Sequence, residues 1–289
     1  MTELRRLLDP SFLAYVMSGA VGRWGQAPQC PSCSERDAER VDRKGFHELR
    51  SCRGCRLLYR YPGEAADQHA RFYQHDYESG MTTSLPSDAQ LAAYLEAGFA
   101  GTPKDARRVV EALTMLGVGR GGRVLDFGAS WGYTAWQLQA AGYDADAYEV
   151  SEPRADFATR LGVRVRTRTE ELAGPYAAVY SGHVLEHVTD PAQIIRQQLR
   201  LLRPGGFLLA FTPNGSRPWR AQDFASFHRK WGRVHPVLLT DEFVRFVADG
   251  RPFLATSAPT AAVLGGWDQR GQHVNRVDGW ELFFAIRQP

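Results

Sequence analysis

Downstream of Gly121-Gly122, short apolar runs alternate with longer segments of helical period, and no other feature limits the possible folds as much. A strand followed by a helix, repeated, builds a parallel sheet with helices on both faces. The pattern predicts a strand over 123–127, a helix over 131–141, a strand over 144–150, a helix over 152–161 and a strand near 163–166. It continues with a strand over 176–180, a helix over 191–202, a strand over 207–212, a helix over 241–249, a strand near 253–257 and a last strand over 280–287. Seven strands with intervening helices fit a doubly wound, Rossmann-like α/β sheet. Upstream, 89–100 and 104–116 carry helical period and are separated by Gly101-Thr102-Pro103.

The 289 residues exceed a typical domain of ~100–200 but fall short of two full-sized ones, so one core with an accessory module is expected. The module declares itself through cysteine. All four cysteines fall in Cys30-Pro-Ser-Cys33 and Cys52-Arg-Gly-Cys55, two C-x2-C pairs separated by eighteen residues. That is zinc-ribbon spacing. Four thiolates close a tetrahedral shell without an open position, so the expected zinc is structural rather than catalytic. Ser34 and Arg56 stand where such knuckles often carry glycine. Cysteines paired this closely argue against a secreted disulfide framework and for a cytoplasmic protein.

Zinc ribbons also bind nucleic acid, but here the bases are interleaved with Glu35, Asp37, Glu39, Asp42 and Glu48. A net charge of +3, from 35 Lys+Arg against 32 Asp+Glu, is far from the basic footprint of a nucleic-acid binder. A small scaffold contacting the main domain is the better expectation. No apolar run approaches the ~18–20 residues of a membrane span. The run Phe12 to Val21 follows Asp9-Pro10, an N-cap with proline at the first helical position, and reads as an amphipathic helix. The expected organisation is an N-terminal helix over 1–25, the ribbon over 26–62, a helical linker or lid over 63–118, and the α/β domain over 119–289. Oligomeric state is not legible.

The run Val124-Leu125-Asp126-Phe127-Gly128-Ala129-Ser130-Trp131-Gly132 leaves a strand and enters a helix, where open α/β sheets bind ligands. Glu149 follows at the end of the second strand, placed to accept both hydroxyls of a ribose. Ser130 replaces the middle glycine of a G-x-G-x-G pattern, so the loop gains its meaning from its surroundings. Those surroundings are Ser181-Gly182-His183-Val184-Leu185-Glu186-His187-Val188-Thr189-Asp190-Pro191 and Leu202-Arg203-Pro204-Gly205-Gly206.

Together these three motifs resemble the class I S-adenosylmethionine-dependent methyltransferases over roughly 120–215, most closely small-molecule enzymes with an N-terminal zinc ribbon. The resemblance implies a seven-stranded sheet with a reversed last hairpin. It places Asp126, Gly128, Ala129, Ser130 and Gly132 around the methionine part of the cofactor and Glu149 on its ribose. Thr169 and Glu170 lie where an acidic residue often meets adenine N6, and Ser181 and Gly182 border the sulfonium.

A sulfonium is a good leaving group, so such an enzyme chiefly positions the acceptor, and a base is needed only when the acceptor must lose a proton. His183-x-x-Glu186-His187 matches a zinc-peptidase pattern formally, but it follows a core strand and reads as packing beside the cofactor. Alternatively, Glu186 and His187 face the acceptor or hold a divalent ion that orients it. The insertion from Pro213 to Thr240, with Trp219, Phe224, Phe227 and Trp231, reads as an aromatic lid over a small acceptor or as a cover for the sheet. His235, five residues before the N-cap candidate Thr240, corresponds by position to a substrate-facing histidine in zinc-ribbon sugar methyltransferases, although Pro236 and Leu239 depart from that pattern. His235 is the favoured base or orienter, with His183 and His187 behind it; His228 is the competing choice, although its place mid-insertion among aromatics also allows it to point outward. Tyr73 and Tyr77 are further candidates to close over the cofactor. An RNA methyltransferase and a non-catalytic cofactor-binding module are the competing functions.

Overall fold

The structure, a computed structural model, describes residues 27–63, 84–258 and 260–289. The helix expected over 1–25 and the tyrosines Tyr73 and Tyr77 lie outside the described residues.

Three antiparallel strands come first: β1 (Ala38–Lys44), β2 (His47–Cys52) and β3 (Leu58–Tyr61). Two helices follow, α1 (Asp88–Glu96) and α2 (Arg107–Met115). Ser87 starts α1 with a capping box, while α2 buries Val109, Ala112 and Leu113 along one stripe. Then β4 (Arg123–Phe127), α3 (Tyr133–Ala140), β5 (Asp144–Tyr148), α4 (Glu152–Arg160), β6 (Arg164–Arg166), β7 (Tyr176–Gly182) and α5 (Pro191–Arg200) alternate as anticipated. The chain continues through β8 (Leu202–Pro213), α6 (Arg217–Gln222), α7 (Phe224–Lys230), β9 (Val237–Leu238) and α8 (Asp241–Ala248). It ends with β10 (Phe253–Thr256), α9 (Thr260–Leu264), β11 (Gln272–Val274) and β12 (Glu281–Arg287).

The larger sheet has the order β11-β10-β12-β8-β7-β4-β5-β6. Strands β4 to β8 pair in parallel, and β12 lies antiparallel between β8 and β10, the reversed hairpin expected of the family. The eighth strand is β11: three residues, two of them exposed and polar, leave no alternation to read. Strand β8 begins at Leu202 rather than 207, because pairing with β7 runs through a register shift at Tyr176/Ala178. Gly206 makes that possible, since a Cβ there would lie 3.0 Å from the Ala177 carbonyl oxygen.

One face of this sheet is covered by α2 and α9, with Leu113, Tyr143, Leu264 and Trp267 buried. The other face is covered by α5 and α8, and its apolar cluster runs without a break into the small sheet. Ile195, Phe243 and Val244 belong to the same cluster as Cys30, Cys52, Cys55, Leu57 and Tyr59. The small sheet gains a fourth strand from far along the chain, since β9 pairs with β3 through Leu58–Leu238 and Tyr59–Val237. Among the described residues, no helix is long and apolar enough to cross a membrane.

Candidate active site

The carboxyl ends of β4, β5 and β7 meet at one edge, and the glycine loop closes it. Gly128 (φ +84°) and Gly132 (φ +84°) turn the chain, and Ser130 takes φ +51° where the usual pattern has glycine. Gly132 also lets α3 pack closely, because a Cβ there would sit 2.6 Å from Ala158 Cβ. The helix therefore begins at Tyr133, after the left-handed Gly132, rather than at 131. Asp126 is fully buried and accepts from the Ala135 amide at 3.1 Å. Burial pushes its pKa up to about 7, opposed by that amide and reinforced by Glu149.

Glu149 accepts from the amides of Ser130 at 2.7 Å and Ser151 at 2.9 Å, one on each oxygen. The Val150 amide also bonds to this carboxylate, and the lone pairs left over are available to a ligand hydroxyl. Burial raises its pKa despite those amides. In the glycine loop Ser130 Oγ and Trp131 Nε1, and at the end of β7 Ser181 Oγ, are buried without a protein partner. Buried polar atoms normally find partners, so three such orphans on the glycine loop and the neighbouring strand end fit a polar ligand at this edge of the sheet. Ala129 is buried beside Ala147 and Ala158. Gly182 ends β7 where a Cβ would lie 2.1 Å from the Tyr180 hydroxyl, so no larger residue fits. Thr169 and Glu170 sit in a short 3-10 turn after β6, with Glu170 exposed and paired to Arg168 at 3.8 Å.

Sequence reading missed an aromatic cluster over this loop. Trp131, 1% exposed, stacks on Tyr94 at 6.2 Å and meets Phe99, Tyr133 and Phe157 at 6.0, 5.0 and 5.7 Å between ring centroids. It ties the segment after α1 to the glycine loop. The signal was present as Tyr94 in a weakly patterned helix and Phe99 just after it, but their target lies more than thirty positions away.

Beyond Gly182, His183 adopts φ +55°, a conformation that costs a non-glycine residue ~1–3 kcal/mol and survives only when its surroundings hold it. Its Nδ1 meets Glu186 at 3.1 Å, its Nε2 meets Glu281 at 2.8 Å, and Glu281 is gripped by Arg108 at 2.6 and 3.2 Å. Burial opposes charge on His183, but the two carboxylates outweigh it and raise its pKa to about 9. An imidazolium has no lone pair for a proton, so His183 is a cationic clamp rather than a base at neutral pH. Glu281 and Arg108 were not anticipated; the one hint was an acidic residue opening an otherwise apolar last strand.

Glu186 is fully buried, with Thr212 donating to its second oxygen at 3.1 Å. His187 Nδ1 donates to the Val234 carbonyl at 2.9 Å, and His235 Nδ1 donates to the Lys230 carbonyl at 2.6 Å. With Nδ1 protonated, each neutral ring keeps an acceptor at Nε2. The rings lie 4.8 Å apart at 64°, and one ligand atom from each of Glu186, His187 and His235 lies within 4.8 Å of the others. Burial drives His187 down to about 4 and His235 below the ordinary histidine range, so both are neutral at pH 7.

The insertion does not roof this site with its aromatics. Trp219, Phe227 and Trp231 are buried against Leu49, Leu58 and Leu238, on the small cysteine-bearing sheet. His228, the competing choice, pairs with Asp42 of β1 at 2.7 Å. The insertion was expected as a lid over a small acceptor or a cover for the main sheet; its aromatics instead cover the small cysteine-bearing sheet.

Cys30, Cys33, Cys52 and Cys55 lie together, with sulfurs 3.5 Å (Cys30–Cys55) and 3.4 Å (Cys33–Cys52) apart. A tetrahedron with ~2.3 Å metal–sulfur bonds has edges of about 3.8 Å, so the cluster fits a zinc ion with little movement. Each pair sits in the same turn: the Ser34 amide returns to the Cys30 carbonyl and the Arg56 amide to the Cys52 carbonyl, at φ +64° and +67°.

The sequence model of a family described as a methyltransferase domain matches residues 102–280. The chain belongs to this methyltransferase family. It is a class I S-adenosylmethionine-dependent methyltransferase, with the mostly parallel Rossmann-like sheet of that class. Among curated proteins it is similar to the ubiquinone biosynthesis O-methyltransferase of Caulobacter vibrioides, 31% identical over 131 residues, covering 43% of this chain and 51% of that one. The namesake from Xanthomonas axonopodis pv. citri is 36% identical over 106 residues, covering 32% and 44%. The chain thus spans about half the length of the curated relatives it matches. Among solved structures, the magnesium protoporphyrin IX methyltransferase from Synechocystis PCC 6803 with bound SAH covers 78% of this chain and 100% of that one. It is 13% identical with a TM-score of 0.50, a likeness of fold.

Proposed function

We propose that this methyltransferase acts on a hydroxyl group of a small acceptor, with His235 as the group that takes or orients its proton. The observation that carries this is the tautomer of His235. The Lys230 carbonyl fixes Nδ1–H, burial keeps the ring neutral, and Nε2 is left as an acceptor beside His187 and Glu186. That its curated relatives are O-methyltransferases supports oxygen as the acceptor atom. Asp126, Gly128, Ala129, Ser130, Gly132, Glu149, Ser181 and Gly182 would hold the cofactor, with Thr169 and Glu170 towards adenine. Cys30, Cys33, Cys52 and Cys55 would hold a structural zinc.

When bound, S-adenosylmethionine supplies a methyl group on a sulfonium. His235 Nε2 accepts the hydroxyl proton as the acceptor oxygen closes on the methyl carbon, and the imidazolium then releases that proton to water. The products are a methyl ether and S-adenosylhomocysteine. His183, held as a cation between Glu186 and Glu281, fixes the carboxylate beneath the reacting histidines.

The test is a panel of phenols, catechols and sugar alcohols, read by mass spectrometry for the methyl ether. His235→Ala should lower turnover by ~10²-fold or more with unchanged cofactor affinity. In the wild type, activity should rise with pH and level off below the ordinary ~6.5 of histidine, because burial lowers this group. If His235 only orients, His235→Gln keeps most activity and loses that dependence. Transfer to amines or carbon alone, or full turnover in both variants, would overturn the reading.

A further inference from the structure

The zinc-ribbon strands and the acceptor-side histidine are far apart in sequence, yet one short frame joins them. Asp42 Oδ2, on a side chain only 8% exposed, accepts from both His228 Nδ1 and Trp231 Nε1 at 2.7 Å. Lys44 Nζ donates to the Trp231 carbonyl at 2.5 Å and lies 4.8 Å over its ring. Arg60 reaches the Gly232 carbonyl at 3.0 Å through its guanidinium and the Pro236 carbonyl at 2.8 Å through its amide. Inside that frame the Gly232 amide donates to the His235 carbonyl at 3.1 Å, and Lys230 supplies the carbonyl that fixes His235 Nδ1. Of the main-chain braces that reach 231–236 from outside the loop, among the described contacts, those at Trp231, Gly232 and Pro236 come from β1 and β3, and the one at Val234 comes from His187.

We propose that Asp42 is a positioning residue for His235, so that the ribbon serves the reaction by holding the acceptor-side histidine in place. This rests on the reading of His235 as the group that handles the acceptor proton. The physical case is that the loop has no regular structure of its own between Lys230 and Val237. Its geometry must therefore come from tertiary bonds, and a buried carboxylate accepting two hydrogen bonds is the strongest bracket available. The interior apolar contacts of Trp231 and Phe227 with Leu49 and Leu58 supply cohesion, but they do not set the orientation of a ring five residues away.

The experiment uses full-length, zinc-loaded protein carrying Asp42→Ala. Elemental analysis should still find about one zinc per chain, and calorimetry should find S-adenosylmethionine affinity within about twofold of wild type. Amide exchange over 230–236 should accelerate by about tenfold or more, while 123–150 stays protected. The His235 ring resonances, followed by NMR against pH, should move from below the ordinary range towards ~6.5 as the ring leaves its buried place facing Glu186, His183 and Lys230. Asp42→Asn, which keeps an acceptor oxygen for the indole N–H, should restore much of the wild-type behaviour. If Asp42→Ala loses zinc, Trp231→Phe removes the donor while keeping an apolar ring, and should shift the same His235 resonances. Unchanged exchange and titration in a zinc-replete variant would overturn the proposal. Failure of the base reading would show separately, as full turnover in His235→Ala.

Discussion

The two sides of this active site are built in opposite ways. The cofactor side is local: Asp126, the glycine loop and Glu149 fall within 24 positions, and backbone amides do most of the holding. The acceptor side gathers Asp42, Arg108, His183, Glu186, His235 and Glu281 from across the chain, and side chains hold one another there. A site made of adjacent strand ends tolerates little change in its turn residues, and its distant contacts, such as Tyr94 and Phe99 on Trp131, are apolar packing rather than hydrogen bonds to the loop. A site made of scattered side chains is open to new specificity, and each member depends on elements that carry no chemistry of their own.

That contrast is tested hardest at Glu149. Its carboxylate is the charged group bonded to the glycine loop among the described residues, and replacing it by alanine removes an acceptor worth ~1.5–3 kcal/mol to a bound diol. Glu149→Ala should therefore weaken S-adenosylmethionine binding by about 10- to 150-fold by calorimetric titration. The His235 resonances should not move, because no described bond links the two sites. An unchanged affinity would place the ribose elsewhere, and a disturbed His235 would show the halves are one coupled unit.

The same contrast explains how much could be read from the sequence. Strands β4, β7 and β12 declared themselves through apolar runs, β5 through alternation, and the turn between β4 and α3 through Gly128 and Gly132. The tetrahedral cysteine grouping followed from spacing alone, since two C-x2-C turns of identical geometry need only be brought together once. Asp42 was not legible, because it is one acid among several alternating charges on β1, and its partners lie 186 and 189 positions later. The error over the aromatic insertion has the same origin. Apolar spacing shows that Trp219, Phe227 and Trp231 are buried, but not against which sheet, and β9 decided that by pairing with β3. Likewise His183, His187 and His235 are chemically identical in sequence. Only the carboxylates around His183 separate it from the other two.

The second test concerns charge on the cofactor side. Asp126 is held near pH 7 chiefly by burial, well above the unfolded value near 3.9. A carboxyl with a higher pKa folded than unfolded keeps a proton in the native state that the unfolded chain has lost. Stability of the ligand-free protein should therefore fall as pH rises from about 4 to 7, and the loss is complete above 7. S-adenosylmethionine carries positive charge and should favour the ionised carboxyl. Its affinity should rise about tenfold between pH 6 and 8, and Asp126→Asn should bind more weakly with that slope removed. A flat wild-type profile would mean that the cationic end of the cofactor lies away from Asp126. Burial also shifts His235, downwards, so the loss of the slope in Asp126→Asn is what assigns the pH dependence to the cofactor side.

The smallest effect compares two serines in the same unusual conformation. Ser130, in the glycine loop, and Ser34, in the first cysteine turn, take φ +51° and +64°. A left-handed backbone costs a residue with a Cβ ~1–2 kcal/mol, partly offset by the ~0.5–1 kcal/mol of extra freedom that glycine loses on folding. Ser34 is exposed and its turn is held by its own amide on the Cys30 carbonyl at 2.9 Å, so Ser34→Gly should relieve the strain and lose nothing else. The expected gain is up to ~1 kcal/mol in zinc-loaded protein, a rise of about 2–4 °C in Tm for a domain of this size. Ser130→Gly should relieve the same strain but remove a buried hydroxyl from the cradle, so its gain in ligand-free Tm should come with weaker cofactor binding. If Ser34→Gly lowers Tm, the serine side chain contributes to the knuckle through a contact that its exposed position does not show. If Ser130→Gly leaves cofactor affinity unchanged, the hydroxyl faces away from the ligand and the loop acts through its backbone alone.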